Sequence, residues 1–271
     1  MNLIQNNLII RQERTEEQRV VEEITREAHW EGSWEAEPAI CDTHLLVHKL
    51  RQSPAYLPEL HYVAELGGKL VGHIMYATGK IIDEKEKEHE VLTFGPLSVL
   101  PIFQNQGIGK ALVNFSLGEA KRFGFSSVFI FGHPDYYPRL GFRRAGDFGI
   151  TTSDGSTFDP FMVFPLYEGA LDGIKGRFHL DSVYKDYPED EIVAFDKNFP
   201  PKELHIPIPM SVLLDRLPPS AKKTLAEFQH KSLSILTTKS QREIASLDGM
   251  DYQSIEIIRT TMFEHGLRWG E

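Results

Sequence analysis

Cysteine is almost absent from this sequence: Cys41 is the only one among 271 residues. A single cysteine excludes a disulfide within the chain, and it excludes a zinc site built from several cysteines. The sequence also lacks any run near the ~18 apolar residues that a membrane span needs. Its first residues lack the basic and then apolar pattern of a signal peptide. We therefore expect a cytoplasmic protein without a metal.

An excess of positive charge is absent as well. The chain has 29 Lys and Arg against 39 Asp and Glu, a net charge of −10. Residues 211–271 hold eight of each sign, so residues 1–210 hold 29 − 8 = 21 against 39 − 8 = 31 and carry the whole imbalance. An acidic body argues against broad nucleic-acid binding and suits a cationic substrate.

Apolar patterns predict an α/β fold for most of the chain. LHYVAEL and KLVGHIMYATGKII, joined by two glycines, have the pattern of a hairpin. VLTFGPLSVL, GKALVNFSLGEAKRFG and SSVFIFG follow as a strand, a helix and a buried strand, which is a βαβ unit. A hairpin beside a βαβ unit predicts a mixed sheet. We expect one domain over residues 1–198, a proline-rich linker over 199–210 and a module of short helices over 211–271.

The stretch QNQGIGKA, residues 104–111, places Gly107 and Gly109 between a predicted strand and a predicted helix. The free N–H groups and the dipole of a helix start attract anions, and glycine lets a phosphate come close to the backbone. A P-loop is excluded because Ala111 is neither Ser nor Thr, and a dinucleotide fingerprint because Leu112 replaces its third glycine. We expect a pyrophosphate site; the alternative is a plain turn between strand and helix.

The longer stretch LTFGPLSVLPIFQNQGIGKALV resembles the coenzyme A motif of the GNAT superfamily of N-acetyltransferases. That motif, Gln/Arg-x-x-Gly-x-Gly/Ala, matches at Gln104, Gly107 and Gly109. The order of elements and the later YYPRLGF agree with the family over roughly residues 3–170. The resemblance implies a mixed-sheet acyl-CoA N-acyltransferase fold, with acetyl-CoA as cosubstrate.

The resemblance also implies which residues hold acetyl-CoA. The strand before the turn would pair its free backbone groups with the pantetheine arm, and the N–H groups of the turn would hold the pyrophosphate. The residues expected to bind are Leu97, Ser98, Val99, Gln104, Gln106, Gly107, Ile108, Gly109, Lys110 and Ala111.

A tyrosine is the expected catalytic acid. The family pattern Tyr-x-x-x-Gly-Phe fits Tyr137, Gly141 and Phe142. Acetyl transfer to an amine expels a thiolate; a phenol with a pKa near ~10 stays protonated at neutral pH beside a thiol near ~8.5. Tyr137 can therefore hydrogen-bond the leaving thiolate and protonate it. The alternative is that Tyr137 only packs, and Tyr136 is expected to be structural.

The catalytic base is not identified by any motif. Glu88, His89 and Glu90 belong to a charge run typical of a solvated loop, and His133 follows a strand where capping a turn is the favoured role. Water is a further candidate.

The predicted function is acetyl transfer from acetyl-CoA to the primary amine of an unidentified small molecule or protein. The alternative is a non-catalytic acyl-CoA-binding regulator whose last module contacts the transcription machinery or DNA.

The last module, residues 211–271, resembles the helix-hairpin-helix domain at the carboxy terminus of the bacterial RNA polymerase alpha subunit. The resemblance is carried by LLDRLPPSAKKTL, TKSQREIASLDGM and SIEIIRTTMFEHGL. Asp251 stands in the hairpin where that domain usually has a second glycine near DNA phosphates. An acid there repels phosphate. We expect a small helical module that packs on the acetyltransferase domain or on another protein rather than one that binds DNA.

Overall fold

The computed structural model describes residues 7–30, 41–202, 208–228, 233–265, 267 and 269. They fall into an amino-terminal unit that ends at Pro201 and a carboxy-terminal unit that follows it. No helix in these described ranges is long and apolar enough to cross a membrane.

The amino-terminal unit is built on one mixed sheet, as expected. Its central strands run in the order β1-β2-β3-β4-β5-β8-β6, and β9 pairs with both β3 and β7. Neighbours are antiparallel except β4 with β5 and β7 with β9. The strands are β1 (Leu8–Gln12), β2 (Tyr62–Leu66), β3 (Lys69–Asp83), β4 (Glu88–Val99), β5 (Ser127–Phe131), β6 (Arg143–Arg144), β7 (Ile150–Thr152), β8 (Phe161–Pro165) and β9 (Gly176–His179).

Helices cover both faces of this sheet. α1 (Gln18–His29) and α2 (Thr43–Leu50) lie on one face, and α3 (Ile108–Arg122) lies on the other. In β3, Ile74 and Tyr76 face α3, whereas Met75 and Ala77 face α1 and α2. A strand covered on both faces needs apolar residues on both. This explains why residues 71–77 are all buried and why their sequence does not alternate.

A layer of paired polar side chains lies beneath α1 and α2. Arg51 contacts Glu13 at 2.5 Å and Glu22 at 3.1 Å, and His61 Nδ1 lies 3.0 Å from the Glu13 carboxylate. His73 Nε2 lies 2.6 Å from Thr25 Oγ1. Buried charges are tolerated when they are paired in this way. The layer therefore fixes α1 and α2 against β2 and β3.

The amino-terminal unit includes residues just beyond its predicted end at 198. α4 (Glu189–Asp196) is joined to α1 by two hydrogen bonds from Arg26 to the Asp196 carboxylate, at 2.6 and 2.8 Å. Phe199 is buried, and the Arg19 guanidinium stacks 3.4 Å above its ring. The first part of the predicted linker is therefore packed, and residues 203–207 of it lie outside the described residues.

The carboxy-terminal unit has its own core. Met210, Leu213, Ala221, Leu225 and Ile258 are buried among its helices. It contains α5 (Ser211–Leu214), α6 (Pro219–Thr224), α7 (Gln241–Ala245), α8 (Tyr252–Glu264) and the 3-10 turns Ala226–Phe228 and Leu233–Thr238.

A short hairpin joins α7 to α8. Gly249 has a φ of +81°, which favours glycine, and Asp251 is the N-cap of α8. The Asp251 carboxylate accepts hydrogen bonds from the Ser254 N–H at 2.7 Å and the Ser254 hydroxyl at 2.6 Å. A carboxylate therefore occupies the start of α8 and satisfies its first backbone N–H groups.

The amino-terminal unit should lose stability in mild acid. Burial lowers the pKa of His44 to about 4 and holds the pKa of His61 and His73 below the ordinary 6.5. Below pH 6.5 the unfolded chain therefore binds protons that the folded chain does not, so the free energy of unfolding falls as pH falls. Each such group costs on the order of 1 kcal/mol per pH unit.

Thermal unfolding followed from pH 7.5 to 5 measures this loss. The Tm should fall with pH, and His44→Gln should make its slope shallower. The same substitution at the exposed His133 should leave the slope unchanged. Equal slopes for the native chain and His44→Gln would contradict the assignment.

The two units should fold separately because each has its own core. A chain ending at Pro201 should retain cooperative unfolding, and residues 208–271 alone should be helical but marginal, since about 60 residues bury little surface. Thermal melts of the two fragments test this expectation.

Because of Asp251 and the balanced charge, the isolated module should bind labelled duplex DNA negligibly at physiological salt. Tight, salt-sensitive binding would refute that expectation.

Candidate active site

The sheet opens where β4 and β5 part. They pair only at Leu92 with Val128 and at Thr93 with Phe129. The Thr93 hydroxyl donates to the Phe129 carbonyl at 2.9 Å, and past this point β4 stays paired with β3 whereas β5 stays paired with β8. The other edge of β4, from Phe94 to Val99, therefore faces an opening between the strands.

A bulge in β4 sits at the mouth of this opening. Ile74 of β3 is opposite Leu97 and Tyr76 is opposite Phe94, so Gly95 and Pro96 together face one residue of β3. An extra residue changes the direction of the side chains around it. The Tyr184 hydroxyl donates to the Gly95 carbonyl at 3.1 Å, so the segment after β9 is attached to the bulge.

Two cavities lie along the open edge of β4, and Leu97 lines both of them. The first, which we call the splay cavity, measures about 290 Å³; the second, the turn cavity, measures about 410 Å³. The splay cavity is lined by His29, Thr43, Leu46, Thr93, Phe94, Gly95, Pro96, Leu97, Ile130, Phe131, Tyr137, Leu180 and Tyr184. The turn cavity is lined by Leu97, Val99, Phe103, Gln104, Asn105, Gly107, Ile108, Gly109, Lys110 and Tyr136.

The glycine turn has the geometry of an anion site. Gly107 is the N-cap of α3 with a φ of +87°, so a side chain there would be strained. The helix starts at Ile108, which leaves the N–H groups of Ile108, Gly109 and Lys110 without partners inside the helix. A Cβ on Gly109 would lie 3.3 Å from the Tyr136 hydroxyl, between the turn and that ring. The backbone and the helix dipole are thus presented to the turn cavity.

The structure corrects one detail of the expected turn. The N–H of Ala111 donates to the Gly107 carbonyl at 2.9 Å, so it is not free to hold a phosphate. The reason is that α3 begins one residue earlier than the sequence pattern requires, and the fourth N–H of a helix bonds to its N-cap. Ala111 also does not line the turn cavity.

Both glutamines of the turn use their side chains to support it. Gln104 Nε2 donates to the Val99 carbonyl at 3.0 Å, and Gln106 Nε2 donates to the Ile102 carbonyl at 2.9 Å. These bonds fix the end of β4 against the turn. Ser98 is 1% exposed, and its side chain lines neither cavity. Only its backbone groups, on the open edge of β4, could therefore contact a ligand.

Tyr137 lies on the wall of the splay cavity. Its ring packs on Phe94 and Phe142, with centroids 5.9 and 5.5 Å away, and a Cβ on Gly132 would overlap it. Burial raises the pKa of Tyr137 above its ordinary value of 10. The phenol therefore stays protonated at neutral pH. Its neighbour Tyr136, which we expected to be structural, lines the turn cavity instead of the core.

The residues considered for the base lie elsewhere. Glu88, His89 and Glu90 are part of β4 rather than of a loop, and His89 contacts Asp83 at 2.8 Å. None of these three lines the splay cavity. His133 is exposed and accepts the N–H of Asp135 at 3.3 Å, which is the capping role favoured above.

His29, Tyr184 and Phe131 line the splay cavity and were missed from the sequence. They come from α1, from the segment after β9 and from the end of β5, and no motif links them. Among the described residues, no group of three or more His, Cys, Asp or Glu side chains could hold a metal ion.

Comparisons with known proteins agree with this geometry. Residues 20–143 match the acetyltransferase (GNAT) family. The chain is 34% identical over 105 residues to the uncharacterized N-acetyltransferase YjhQ of Escherichia coli K12, covering 38% of this chain and 58% of that protein. It is 27% identical over 131 residues to YhbS, another uncharacterized N-acetyltransferase of that strain, covering 48% and 76%.

Two solved structures share the fold. The structure of YhbS from Escherichia coli in complex with CoA has a TM-score of 0.56 at 23% identity, covering 67% of this chain and 94% of that one. A GNAT acetyltransferase from Brucella melitensis in complex with acetyl-CoA has a TM-score of 0.51 at 23% identity, covering 66% and 98%.

The family match ends at residue 143 and shows nothing about the carboxy-terminal unit. The resemblance of that unit to the polymerase domain therefore stays a prediction. Residues 20–143 are thus similar in sequence to the acetyltransferase (GNAT) family, and the amino-terminal unit has the mixed α/β fold of GNAT acetyltransferases.

Proposed function

We propose that the amino-terminal unit transfers the acetyl group of acetyl-CoA to a primary amine and releases CoA. The observation that carries this proposal is the opening between β4 and β5, which places the glycine turn and Tyr137 along one strand edge. The names of YjhQ and YhbS as N-acetyltransferases support it, as does the CoA or acetyl-CoA in the two structures that share the fold.

The cosubstrate would lie along the edge of β4. Backbone groups of Leu97, Ser98 and Val99 would pair with the amides of the pantetheine arm. The pyrophosphate would accept hydrogen bonds from the N–H groups of residues 106–110, with the Lys110 ammonium adding positive charge. This path brings the thioester into the splay cavity beside Tyr137.

Tyr137 would act on the leaving sulfur. Attack of the amine on the thioester carbon forms the C–N bond, and breaking the C–S bond leaves a thiolate. A thiol with a pKa near ~8.5 is a stronger acid than a buried phenol. Tyr137 would therefore stabilise the thiolate by a hydrogen bond, and would give up its proton as it receives one from the amine nitrogen.

The regulator alternative finds no support, because the matching relatives are named N-acetyltransferases. The acidic amino-terminal unit favours a cationic acceptor, and the single cysteine favours a cytoplasmic setting.

The acceptor is best found by measuring CoA thiol release from acetyl-CoA over amines, polyamines, amino acids and aminoglycosides. If no acceptor raises release above the rate of hydrolysis, the proposed function is wrong.

Gly109→Val should abolish or greatly weaken acetyl-CoA binding. The new side chain would enter the turn cavity beside the Tyr136 hydroxyl and hold the pyrophosphate off the backbone. We expect affinity to fall by at least about tenfold, or ~1.4 kcal/mol, measured by calorimetry. Gly118→Val is the matched control, because a Cβ at Gly118 of α3 meets nothing within 4 Å. Equal affinity in both folded variants would refute the pyrophosphate site.

Tyr137→Phe should lower kcat with little change in KM. The hydroxyl acts on charge that develops in the transition state, and the ring that packs on Phe94 is retained. Acid–base groups contribute ~10²–10⁴-fold. Steady-state kinetics with the best acceptor measure the loss, and Tyr167→Phe, at a half-exposed tyrosine, is the control. A loss of only a few-fold would assign Tyr137 to packing.

A further inference from the structure

We propose that the imidazole of His29 is the general base that takes a proton from the attacking amine. His29 can have this role only if the unit transfers acetyl as proposed above. It is the last residue of α1 and lines the same splay cavity as Tyr137. The two side chains belong to elements on opposite sides of β4, so the thioester would lie between them.

The lining of the splay cavity leaves few other groups for this role. Of the described residues around it, none is a carboxylate, and the ionisable ones are His29, Tyr137 and Tyr184. Tyr184 already donates its hydroxyl proton to the Gly95 carbonyl. An amine that attacks within this cavity therefore meets one side chain that is basic near neutral pH, the imidazole of His29.

The ring of His29 is held by the strand that would carry the pantetheine arm. Its Nε2 lies 3.1 Å from the Ser98 hydroxyl of β4. A neutral imidazole that donates from Nε2 to the Ser98 hydroxyl keeps Nδ1 as its acceptor nitrogen. Ser98 can therefore keep the ring in place while Nδ1 takes the proton, and the backbone of Ser98 stays available to the cosubstrate.

The protonation states fit an acid and a base in one cavity. Burial lowers the pKa of His29, although the Leu97 backbone and the charge of Asp42 oppose this effect. The other groups near the ring are the hydroxyls of Thr43, Tyr137 and Tyr184, which line the cavity, and the neutral, buried imidazole of His73 in β3. At neutral pH, His29 is therefore unprotonated while burial keeps both tyrosines protonated. Groups whose environments push their pKa values apart can divide the two roles.

The protons balance over the reaction. The ammonium of the acceptor gives one proton to the imidazole of His29. The free amine then forms the C–N bond, and the C–S electron pair leaves with the sulfur, which takes the proton of the Tyr137 hydroxyl. The nitrogen returns its second proton to the Tyr137 oxygen, and the imidazolium releases its proton to solvent. The products are the amide, CoA and one proton.

The test compares acceptors that need a base with one that does not. Ethylamine, benzylamine and spermidine are protonated at pH 7, whereas hydroxylamine is not. His29→Gln keeps a side chain that can hydrogen-bond Ser98 but cannot accept the proton. CoA release with the alkylamines should fall by ~10²-fold or more, the range of general acid–base catalysis. Release with hydroxylamine should change far less, and calorimetric affinity for acetyl-CoA should be retained.

The control is His133→Gln, the same substitution at an exposed histidine outside the splay cavity, and it should behave as the native chain. Equal losses with hydroxylamine and the alkylamines would show that His29 only positions groups, and lost acetyl-CoA affinity would show a binding role. Either result overturns the proposal while acetyl transfer by the native chain stands. A native chain inactive with every acceptor would overturn the proposed function itself.

The pH profile gives a second readout. In the native chain, kcat/KM for an alkylamine should fall below the pKa of His29, which lies under 6.5, and level off above it. In His29→Gln only the free amine can react, so kcat/KM should keep rising with pH toward the pKa of the alkylamine. An unchanged profile in the variant would also overturn the proposal.

Discussion

The proposed site depends on the point at which β4 and β5 stop pairing with each other. One parallel pair at Leu92 and one at Thr93 hold the two strands together, and the Thr93 hydroxyl adds a bond to the Phe129 carbonyl. Beyond that point the hydrogen-bonding groups on one edge of β4 face an opening instead of a strand. Exposed strand edges readily pair with an extended partner. A pantetheine arm with its two amides is a suitable partner, so the divergence of two strands creates the proposed binding site.

The rest of the amino-terminal unit keeps this opening in shape. α3 packs on one face of the sheet and begins at the turn, so the core that buries Ile108 also aims the helix start at the turn cavity. α1 and α2 pack on the other face over paired polar groups, which places His29 beside Ser98. Tyr184 is attached to the bulge of β4. The site is therefore assembled from elements that pack on one sheet and that are far apart along the chain.

Much of the fold was predictable because it follows from local patterns. The hairpin, the βαβ unit and the glycine turn each lie within one continuous stretch, and their periods and turn residues are visible without any partner. Two details failed for physical reasons. The sequence pattern includes Ala111 among the free N–H groups because it does not show at which residue a helix begins. The charge run at Glu88 and Glu90 predicts a loop, but exposed charged residues are equally compatible with a strand end that extends into solvent.

The sequence by itself determined the class of fold, the glycine turn and Tyr137 as a candidate, because each depends on residues that are neighbours along the chain. Only the tertiary structure decided which groups share the splay cavity. His29, Phe131 and Tyr184 come from three separate elements of the chain. They become neighbours only when α1 and the segment after β9 pack on the sheet that contains Phe131. Their protonation was equally invisible in the sequence, since burial, which tertiary contacts set, shifts the pKa of His29 downward and those of the tyrosines upward.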